Sequence, residues 1–423
     1  MWSLPLDIFT LRKVSNAIFI FCVAAIATLP SGTLAGVPLK YFLLVVVIFY
    51  FGLCAKTFPR AFFVHFFGIA FFLISYAALG LSDFGRFAIN ELVLALGAIL
   101  LGMFVAHIVD RRNLGEAGII SIYKLSILLF AALKIFILFV YFRSPDFTAF
   151  IEGFLVNYQE VTGSKFVSME LPYGLIRIYM QYDLVAALFP LAVSVLRPRY
   201  GVTAGDRFFV VLCLTIVLLG FSRFNMACYA LSLLIFLWSD KGGLGFKVSL
   251  VVFAVAGVTV LFQQIVEFVN IRFFSYQNEV SDEIRFNQAE ILIDFFKESP
   301  ILGHGLGAYT DELIRSPAVP FSYEQQVLSL LPKFGLIGFS VVLCYVTYLI
   351  WYMLQKRYFC VALFLSLYLF ASLFNPYLFS SNMVVVYALI FYVYLYLPPL
   401  EVRLSRTEKS RENSVPSKPE SSA

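Results

Sequence analysis

The sequence predicts an all-α, polytopic integral membrane protein with about twelve transmembrane helices and two large external loops. Its 423 residues are 61% hydrophobic and only 13% charged, and the mean hydropathy is +0.87. Soluble domains carry about a quarter charged residues, and a helix needs about 20 mainly apolar residues to cross a bilayer. Candidate spans lie at 14–30, 38–55, 61–80, 87–108, 121–142, 179–196, 207–221, 223–239, 247–266, 324–354, 359–374 and 382–399.

The distribution of lysine and arginine orients these spans, because cytoplasmic loops carry an excess of both residues. Alternate connections are basic, whereas the short ones between them, such as 31–35 and 375–377, are nearly bare of positive charge. Both termini are therefore predicted to be cytoplasmic, with the long loops at about 143–178 and 267–321 on the external side. Residues 1–400 then form one transmembrane domain, and the polar residues 401–423 form a disordered cytoplasmic tail.

The composition also argues against several kinds of site. The basic cytoplasmic connections account for the net charge of +5, so no nucleic-acid partner is expected. All six cysteines lie in apolar runs, where thiols normally behave as inert small hydrophobes. The external loops contain neither an Asp-x-Asp motif nor a histidine cluster. We therefore expect chemistry that needs no metal and no cofactor.

Some arginines stand on the external side, where the distribution rule makes them unexpected. Arg177 ends the first long loop, Arg223 opens the eighth span after the tight turn at Phe221-Ser222, and Arg272 and Arg285 lie in the second loop. A single such arginine is explained by a snorkelling side chain or a salt bridge. Several guanidinium groups converging on one cavity would instead form a clamp for a pyrophosphate or a phosphate diester.

The second long loop contains a helical pattern. Positions 284, 288/289, 292 and 295/296 follow helical spacing, Ser281-Asp282 can cap the start, and Ser299-Pro300 stops the pattern. This predicts a short amphipathic helix in the outer interface, acting either in the site or as a structural lid. The glycines of Gly303-His304-Gly305-Leu306-Gly307 let the backbone pass close to a ligand or to another helix.

Several ionisable residues are candidates for chemistry or for structure. Glu324 begins the tenth span on its external side, where a carboxylate either caps the helix or takes part in the reaction. His304 is a second candidate base, although a Gly-His-Gly hinge can also present a solvated ring. Within the spans, Lys134 and Glu91 are predicted to form a structural ion pair. Pro332 is expected to kink the long tenth span.

Three short motifs follow one another between positions 221 and 338. They are Phe221-Ser222-Arg223 before an apolar helix, Arg285 followed by Glu298-Ser299-Pro300-Ile301-Leu302-Gly303-His304-Gly305, and Tyr323-Glu324-Gln325 followed by Gly335-Leu336-Ile337-Gly338. Their order and spacing resemble the O-antigen ligase and O-antigen polymerase superfamily of bacterial envelope polysaccharide enzymes. Ligases carry histidine and asparagine where this chain has Glu324 and Gln325, and this departure favours a polymerase.

The resemblance implies a fold similar to that of the membrane-embedded C class of glycosyltransferases, in the bacterial inner membrane. The implied reaction transfers an oligosaccharide from undecaprenyl pyrophosphate to a sugar hydroxyl of a second lipid-linked repeat unit. Membrane lipid and a chain-length regulator protein are the further partners implied. An O-antigen ligase acting on lipid A-core is the alternative. A lipid-linked oligosaccharide flippase or a transporter is the alternative from another class, against which the long second loop argues.

The same resemblance suggests roles for individual residues in an inverting, metal-independent transfer. Arg223 and Arg285 would neutralise the leaving pyrophosphate, while Glu324 would orient or deprotonate the attacking hydroxyl. The set of residues expected to bind substrate consists of Arg177, Arg272, His304 and Tyr323.

Overall fold

A computed structural model describes residues 8–29, 39–54, 58–143, 167–171, 175–197, 201–240, 243–260, 262–263, 266–267, 270, 276–314 and 316–402. Arg272, most of the first long loop and the tail from residue 403 onward lie outside these ranges. The predictions made for them therefore stay predictions.

The described part of the chain is mostly helical, as predicted. Its main elements are α1 (Ile8–Thr28), α2 (Leu39–Cys54), α3 (Arg60–Phe84), α4 (Arg86–Arg111), α5 (Gly115–Arg143), β1 (Val167–Leu171), β2 (Leu175–Ile178), α6 (Asp183–Leu196), α7 (Ala204–Gly220), α8 (Arg223–Ser239), α9 (Leu244–Val260), α10 (Tyr276–Glu298), α11 (Gln326–Gln355), α12 (Phe359–Ala371) and α13 (Val384–Tyr396). Each predicted span coincides with one of these helices.

Four helices, α3, α4, α5 and α11, are each long and apolar enough to cross a membrane. Shorter apolar helices accompany them, among them α6, α8 and α12. The number of twelve spans and the side on which the loops lie stay predictions.

The expectation of an all-α fold is incomplete. In the first long loop, β1 and β2 pair antiparallel. This hairpin leads directly into α6, which has all fourteen of its residues buried. A helix that is apolar on every face belongs in the interior, and α6 packs against α7, α8 and α12. The hairpin therefore presents its last residues at one end of the central helix.

The polar segment before α11 contains α10, which is longer than the predicted amphipathic helix. It begins at Tyr276 rather than near 281 and ends at Glu298, just before the predicted stop. Gln288, Leu292 and Phe295 are buried along one face, whereas Ile284 is 56% exposed. The predicted buried stripe is thus confirmed except at its first position.

The kink in α11 lies at Gly335 (φ 59°, ψ −173°), three residues after the proline expected to cause it. A break in a helix frees backbone groups that need new partners. Here the segment 300–305 supplies those partners at 2.8 to 3.1 Å. The groups that it pairs are the carbonyls of Pro332 and Lys333 and the amides of Leu336 and Ile337.

The three glycines of the Gly-x-Gly-x-Gly run allow the backbone to pass close to helices. Gly303, Gly305 and Gly307 all have positive φ, at 73°, 89° and 81°. A Cβ atom on them would lie 2.2 to 2.5 Å from backbone nitrogens of Gly335, Gly80 and Ala88, respectively. Of the two interpretations of this run, the structure therefore favours close contact with helices.

The predicted pairing of Lys134 with Glu91 is wrong, because each residue has a nearer partner on another element. Glu91 pairs with Lys333 at 2.5 Å, and Lys134 pairs with Asp183 at 2.6 Å. All four side chains are buried. Glu91 also accepts a hydrogen bond from the Gly307 amide at 2.6 Å. The Glu91–Lys333 pair therefore joins α4, α11 and the glycine run.

We predict that Glu91→Gln strongly destabilises the protein, because it leaves the Lys333 ammonium buried without a counter-charge. Breaking a buried ion pair in this way costs about 3–5 kcal/mol. Glu401→Gln is the matched control, since Glu401 pairs with Arg357 on the surface, where both side chains are 65% exposed. Such exposed pairs contribute about 0–1 kcal/mol. Thermal unfolding of the purified protein in detergent measures both changes, and equal shifts would contradict the structural role of Glu91.

Candidate active site

Arg285 and Glu324, separated by 39 positions in the chain, face each other in the structure. Arg285 lies near the middle of α10, and its Nε is 3.3 Å from Oε2 of Glu324. The two side chains are 26% and 27% exposed, so the pair lies at an accessible surface. Glu324 does not cap α11, whose N-cap residue is Gln325. The role of Glu324 in the reaction stays a prediction.

Gln325 holds α10 against the start of α11. Its Nε2 donates to the carbonyl of Arg285 at 3.0 Å, and its backbone amide donates to Oε1 of Gln288 at 2.9 Å. Its own Oε1 is buried and accepts no hydrogen bond from the residues that the structure describes. A buried acceptor in this condition normally finds a donor. Gln325 thus positions Arg285 next to Glu324. Its Oε1 is an acceptor that has no donor among the described residues.

Arg177, at the end of β2, belongs to the same electrostatic neighbourhood. Its Nε donates to the carbonyl of Gly220 at 3.1 Å, and its guanidinium lies 5.1 Å from the centre of the Tyr179 ring. Burial lowers the pKa of Arg177, and the positive charge of Arg285 lowers it further, while Asp183 opposes the shift. Arg177 and Arg285 therefore interact electrostatically.

Arg223 begins α8 just after Gly220, the residue that binds Arg177. The chain turns at Phe221, which has a left-handed φ of 47°, and Ser222 caps α8 by accepting from the amide of Asn225. Arg223 is partly buried. The predicted tight turn is therefore confirmed, and it brings the backbone of Arg223 next to the residue that Arg177 contacts.

A buried ion pair, Lys134–Asp183, lies near Arg177 and acts on it electrostatically. Asp183, at the start of α6, pairs with Lys134 of α5 and accepts from the amide of Met180 at 3.1 Å. Asp183 Oδ2 would lie 2.3 Å from a Cβ placed on Gly220. A side chain at position 220 would therefore displace the carboxylate, and with it the support of Arg177.

The segment after α12 closes the other side of the site. The hydroxyls of Tyr377 and Tyr179 are hydrogen-bonded to each other. Oε1 of Gln326 accepts from the amide of Leu378 at 2.6 Å. Because Gln326 is the first residue of α11, this segment joins the Arg177 side of the site to the Glu324 side. Nothing in the motif pattern pointed to the two tyrosines.

Two of the predicted substrate-binding residues make contacts within the protein. The ring of His304 stacks on Phe295 with centroids 4.3 Å apart. Phe295 follows Arg285 by ten residues, which is about 15 Å along a helix. Tyr323 is only 1% exposed, and its hydroxyl accepts from the amide of Thr310 at 3.1 Å. Neither side chain joins the Arg285–Glu324 pair, and Arg272 lies outside the described residues.

An apolar groove starts beside the site. Its volume is about 750 Å³, and side chains of α3, α11, α12 and α13 line it. It includes Val327 in the first turn of α11 and Leu349 far along the same helix. These two residues lie on either side of the break at Gly335. The groove therefore begins within one turn of Glu324 and continues past that break.

Comparison with known proteins gives one family match. Residues 208–343 match the family model described as O-antigen ligase, which confirms the resemblance to the O-antigen polymerase and ligase superfamily over about a third of the chain. This stretch contains Arg223, Arg285 and Glu324, whereas Arg177 lies before it. No curated protein gives a significant match to the chain.

We predict that Gly220→Ala destabilises the protein, since the new methyl group collides with Asp183. Overpacking of this kind costs about 1–3 kcal/mol. Gly52→Ala in α2 is the control, because a Cβ at position 52 meets no atom within 4 Å. Alanine should be neutral or slightly stabilising there. A melting temperature of Gly220→Ala equal to that of the wild type would show that Asp183 moves without cost.

Proposed function

We propose that the protein is a glycosyltransferase that polymerises a surface polysaccharide. In this reaction a hydroxyl of one lipid-linked repeat unit attacks the anomeric carbon of an oligosaccharide linked to undecaprenyl pyrophosphate. The observation that carries the proposal is the partly exposed Arg285–Glu324 pair, formed by two motifs of the matched family segment. An anion-binding group and a proton acceptor side by side are what this transfer requires.

The arginines stabilise the leaving group. When the bond between the anomeric carbon and the pyrophosphate oxygen breaks, the pyrophosphate leaves with the electron pair and gains negative charge. Arg285 and Arg177 lie close enough for their charges to repel each other, and Arg223 follows the turn that begins at Gly220. Cationic groups fixed in place before the reaction stabilise such charge without reorganising. Guanidinium groups also bind phosphate oxygens in a bidentate manner.

Glu324 accepts the proton of the attacking hydroxyl. In the absence of substrate its carboxylate is held by Arg285. An arriving pyrophosphate competes for the same guanidinium and so releases the carboxylate. The hydroxyl oxygen then forms the new glycosidic bond, and its proton passes to Glu324. Donor binding and activation of the acceptor are thereby coupled through one arginine.

Gln325 supports the position of the acceptor sugar. Its Oε1 is a buried acceptor beside Glu324 without a donor among the described residues. A second hydroxyl of the acceptor would satisfy this oxygen and hold the attacking hydroxyl near the carboxylate. Fixing two groups of one sugar in this way restricts its orientation on binding. Less orientational entropy is then lost in reaching the transition state.

The apolar groove suits the polyprenyl chain of a lipid-linked substrate. It begins at Val327, next to the polar site, and its lining is almost wholly apolar. A ligand with a charged head and a long hydrocarbon tail would place the head at Arg285 and the tail in this groove. A water-soluble nucleotide sugar would leave the groove unused.

A ligase is the second candidate, because the matched family model is described as O-antigen ligase. Glutamate rather than histidine at position 324 favours the polymerase. Incubation of the purified protein with lipid-linked repeat units tests the choice. A polymerase lengthens the units on their own, whereas a ligase needs lipid A-core as the acceptor. The absence of both products would overturn the proposed function.

We predict that Arg285→Ala and Arg223→Ala abolish long-chain product. Loss of one group that stabilises developing charge lowers the rate by about 10²–10³-fold. Arg357→Ala is the control, since Arg357 is an exposed arginine that pairs only with the exposed Glu401 among the contacts described. Gel analysis of the polysaccharide, with membrane levels of each variant measured in parallel, provides the readout. A normal ladder from Arg285→Ala would contradict the role of Arg285.

We predict that Glu324→Gln also abolishes transfer while the protein stays folded. Glutamine keeps the shape of the side chain but accepts no proton, and loss of a general base costs about 10²–10⁴-fold. His304→Phe is the control, because phenylalanine preserves the stacking on Phe295. Turnover of the two purified variants shows whether Glu324 or His304 is needed for the reaction. If His304→Phe were inactive and Glu324→Gln active, the base would be His304.

A further inference from the structure

A second cavity lies beside the candidate active site, and its lining includes more polar groups than that of the groove. Its volume is about 240 Å³. It is walled by α1, the first turn of α2, α4, and the segments 319–326 and 376–382. Tyr323 and Gln326, the residues on either side of Glu324-Gln325, belong to its wall. A molecule bound here would therefore adjoin the proposed reaction centre.

Lys40 lines this cavity with an amine that no carboxylate pairs with in the part of the chain that the structure describes. Its side chain is only 8% exposed. Its ammonium donates to the carbonyl of Leu29 at 2.9 Å and to Oδ1 of Asn382 at 3.4 Å. The other two charged groups of the wall, Glu91 and Lys333, pair with each other. A buried amine held only by neutral oxygens is costly to charge, and a bound anion would offset that cost.

Uncharged polar groups surround Lys40. Gln181 accepts from the hydroxyl of Ser380 at 2.5 Å and donates to the carbonyl of Pro376 at 3.2 Å. Asn382 donates to the carbonyl of Ala27 at 2.7 Å. Amide and hydroxyl groups of this kind both donate and accept, as the hydroxyls of a sugar do. The cavity thus combines one amine with partners for several hydroxyl groups.

We infer that this cavity binds an anionic sugar of the substrate, a ring that carries a carboxylate or a phosphate substituent. The inference rests on the proposed function, since it takes the ligand to be part of the oligosaccharide transferred or elongated. Lys40 binds the anionic substituent, and Gln181, Ser380 and Asn382 bind the hydroxyls. The cavity would then select which repeat unit the enzyme accepts.

Binding of small probes to the purified full-length protein in detergent tests this inference. The probes are glucuronate, glucose 1-phosphate, glucose and pyrophosphate, and the readout is thermal stabilisation as a function of probe concentration. A hydrogen bond to a charged group favours glucuronate or glucose 1-phosphate over glucose by about 10-fold or more. Lys40→Met should remove this preference. Comparison of glucuronate with glucose 1-phosphate shows whether the cavity prefers a carboxylate or a phosphate substituent.

Lys356→Met is the matched control, because Lys356 also donates to neutral oxygens, the backbone carbonyls of Tyr394 and Leu397, and lies at the other end of α11. It should keep the preference. Lys40→Gln replaces the methionine variant if the latter does not fold. Equal binding of all three sugars, a preference that survives loss of Lys40, or Lys40-dependent binding of pyrophosphate alone would overturn the inference.

The same assay distinguishes failure of the inference from failure of the proposed function. Arg285→Ala should lose transfer and keep the charge preference of the probes. If the wild type transfers no oligosaccharide but binds anionic sugars through Lys40, the proposed reaction is wrong and the cavity is still a sugar site. If it transfers oligosaccharide without any charge preference, the inference alone is wrong.

Discussion

The exchange of backbone hydrogen bonds between the segment 300–305 and the break in α11 is the constraint on which the site depends. In a bilayer, unpaired amide and carbonyl groups are tolerated only where protein or water satisfies them. The break at Gly335 is satisfied by protein, and the Glu91–Lys333 pair fastens the same region to α4. Because α10 ends at one side of this joint and α11 begins close to it, the joint sets where Arg285 and Glu324 meet.

Two buried ion pairs give the site a rigid base. Lys134 and Asp183 lie beneath Arg177, and Glu91 and Lys333 lie beneath the segment that leads to Glu324. Replacing such pairs by well-packed apolar residues is often neutral or stabilising in other proteins, so stability alone does not explain them. Here each pair fixes the position of a loop that carries a charged side chain. Fixed charges are useful for catalysis because they need not reorganise during the reaction.

Much of this arrangement could be predicted, since apolar length and helical spacing act locally. The helices, the stripe at 288, 292 and 295, and the order of Arg223, Arg285 and Glu324 follow from such patterns. For the hairpin, the sequence held a usable signal in Pro172-Tyr173-Gly174, residue types that favour turns, between two segments of alternating polarity. The partners of Lys134 and Glu91 depend on packing between distant helices. The direction of the His304 side chain depends on the left-handed backbone at Gly303 and Gly305. That of Tyr323 depends on its burial. Neither can be read from the neighbouring residues in the sequence.

The sequence distance between Glu91 and Lys333 has a consequence for biogenesis. The two residues are 242 positions apart. At a synthesis rate of about 5–20 residues per second, Lys333 emerges between about 12 and about 50 s after Glu91. During that time α4 holds a carboxylate whose final counter-ion does not yet exist. The nascent protein must shelter it by protonation, by water or by the insertion machinery, and the helices of the amino-terminal half can settle into their final packing only after α11 arrives.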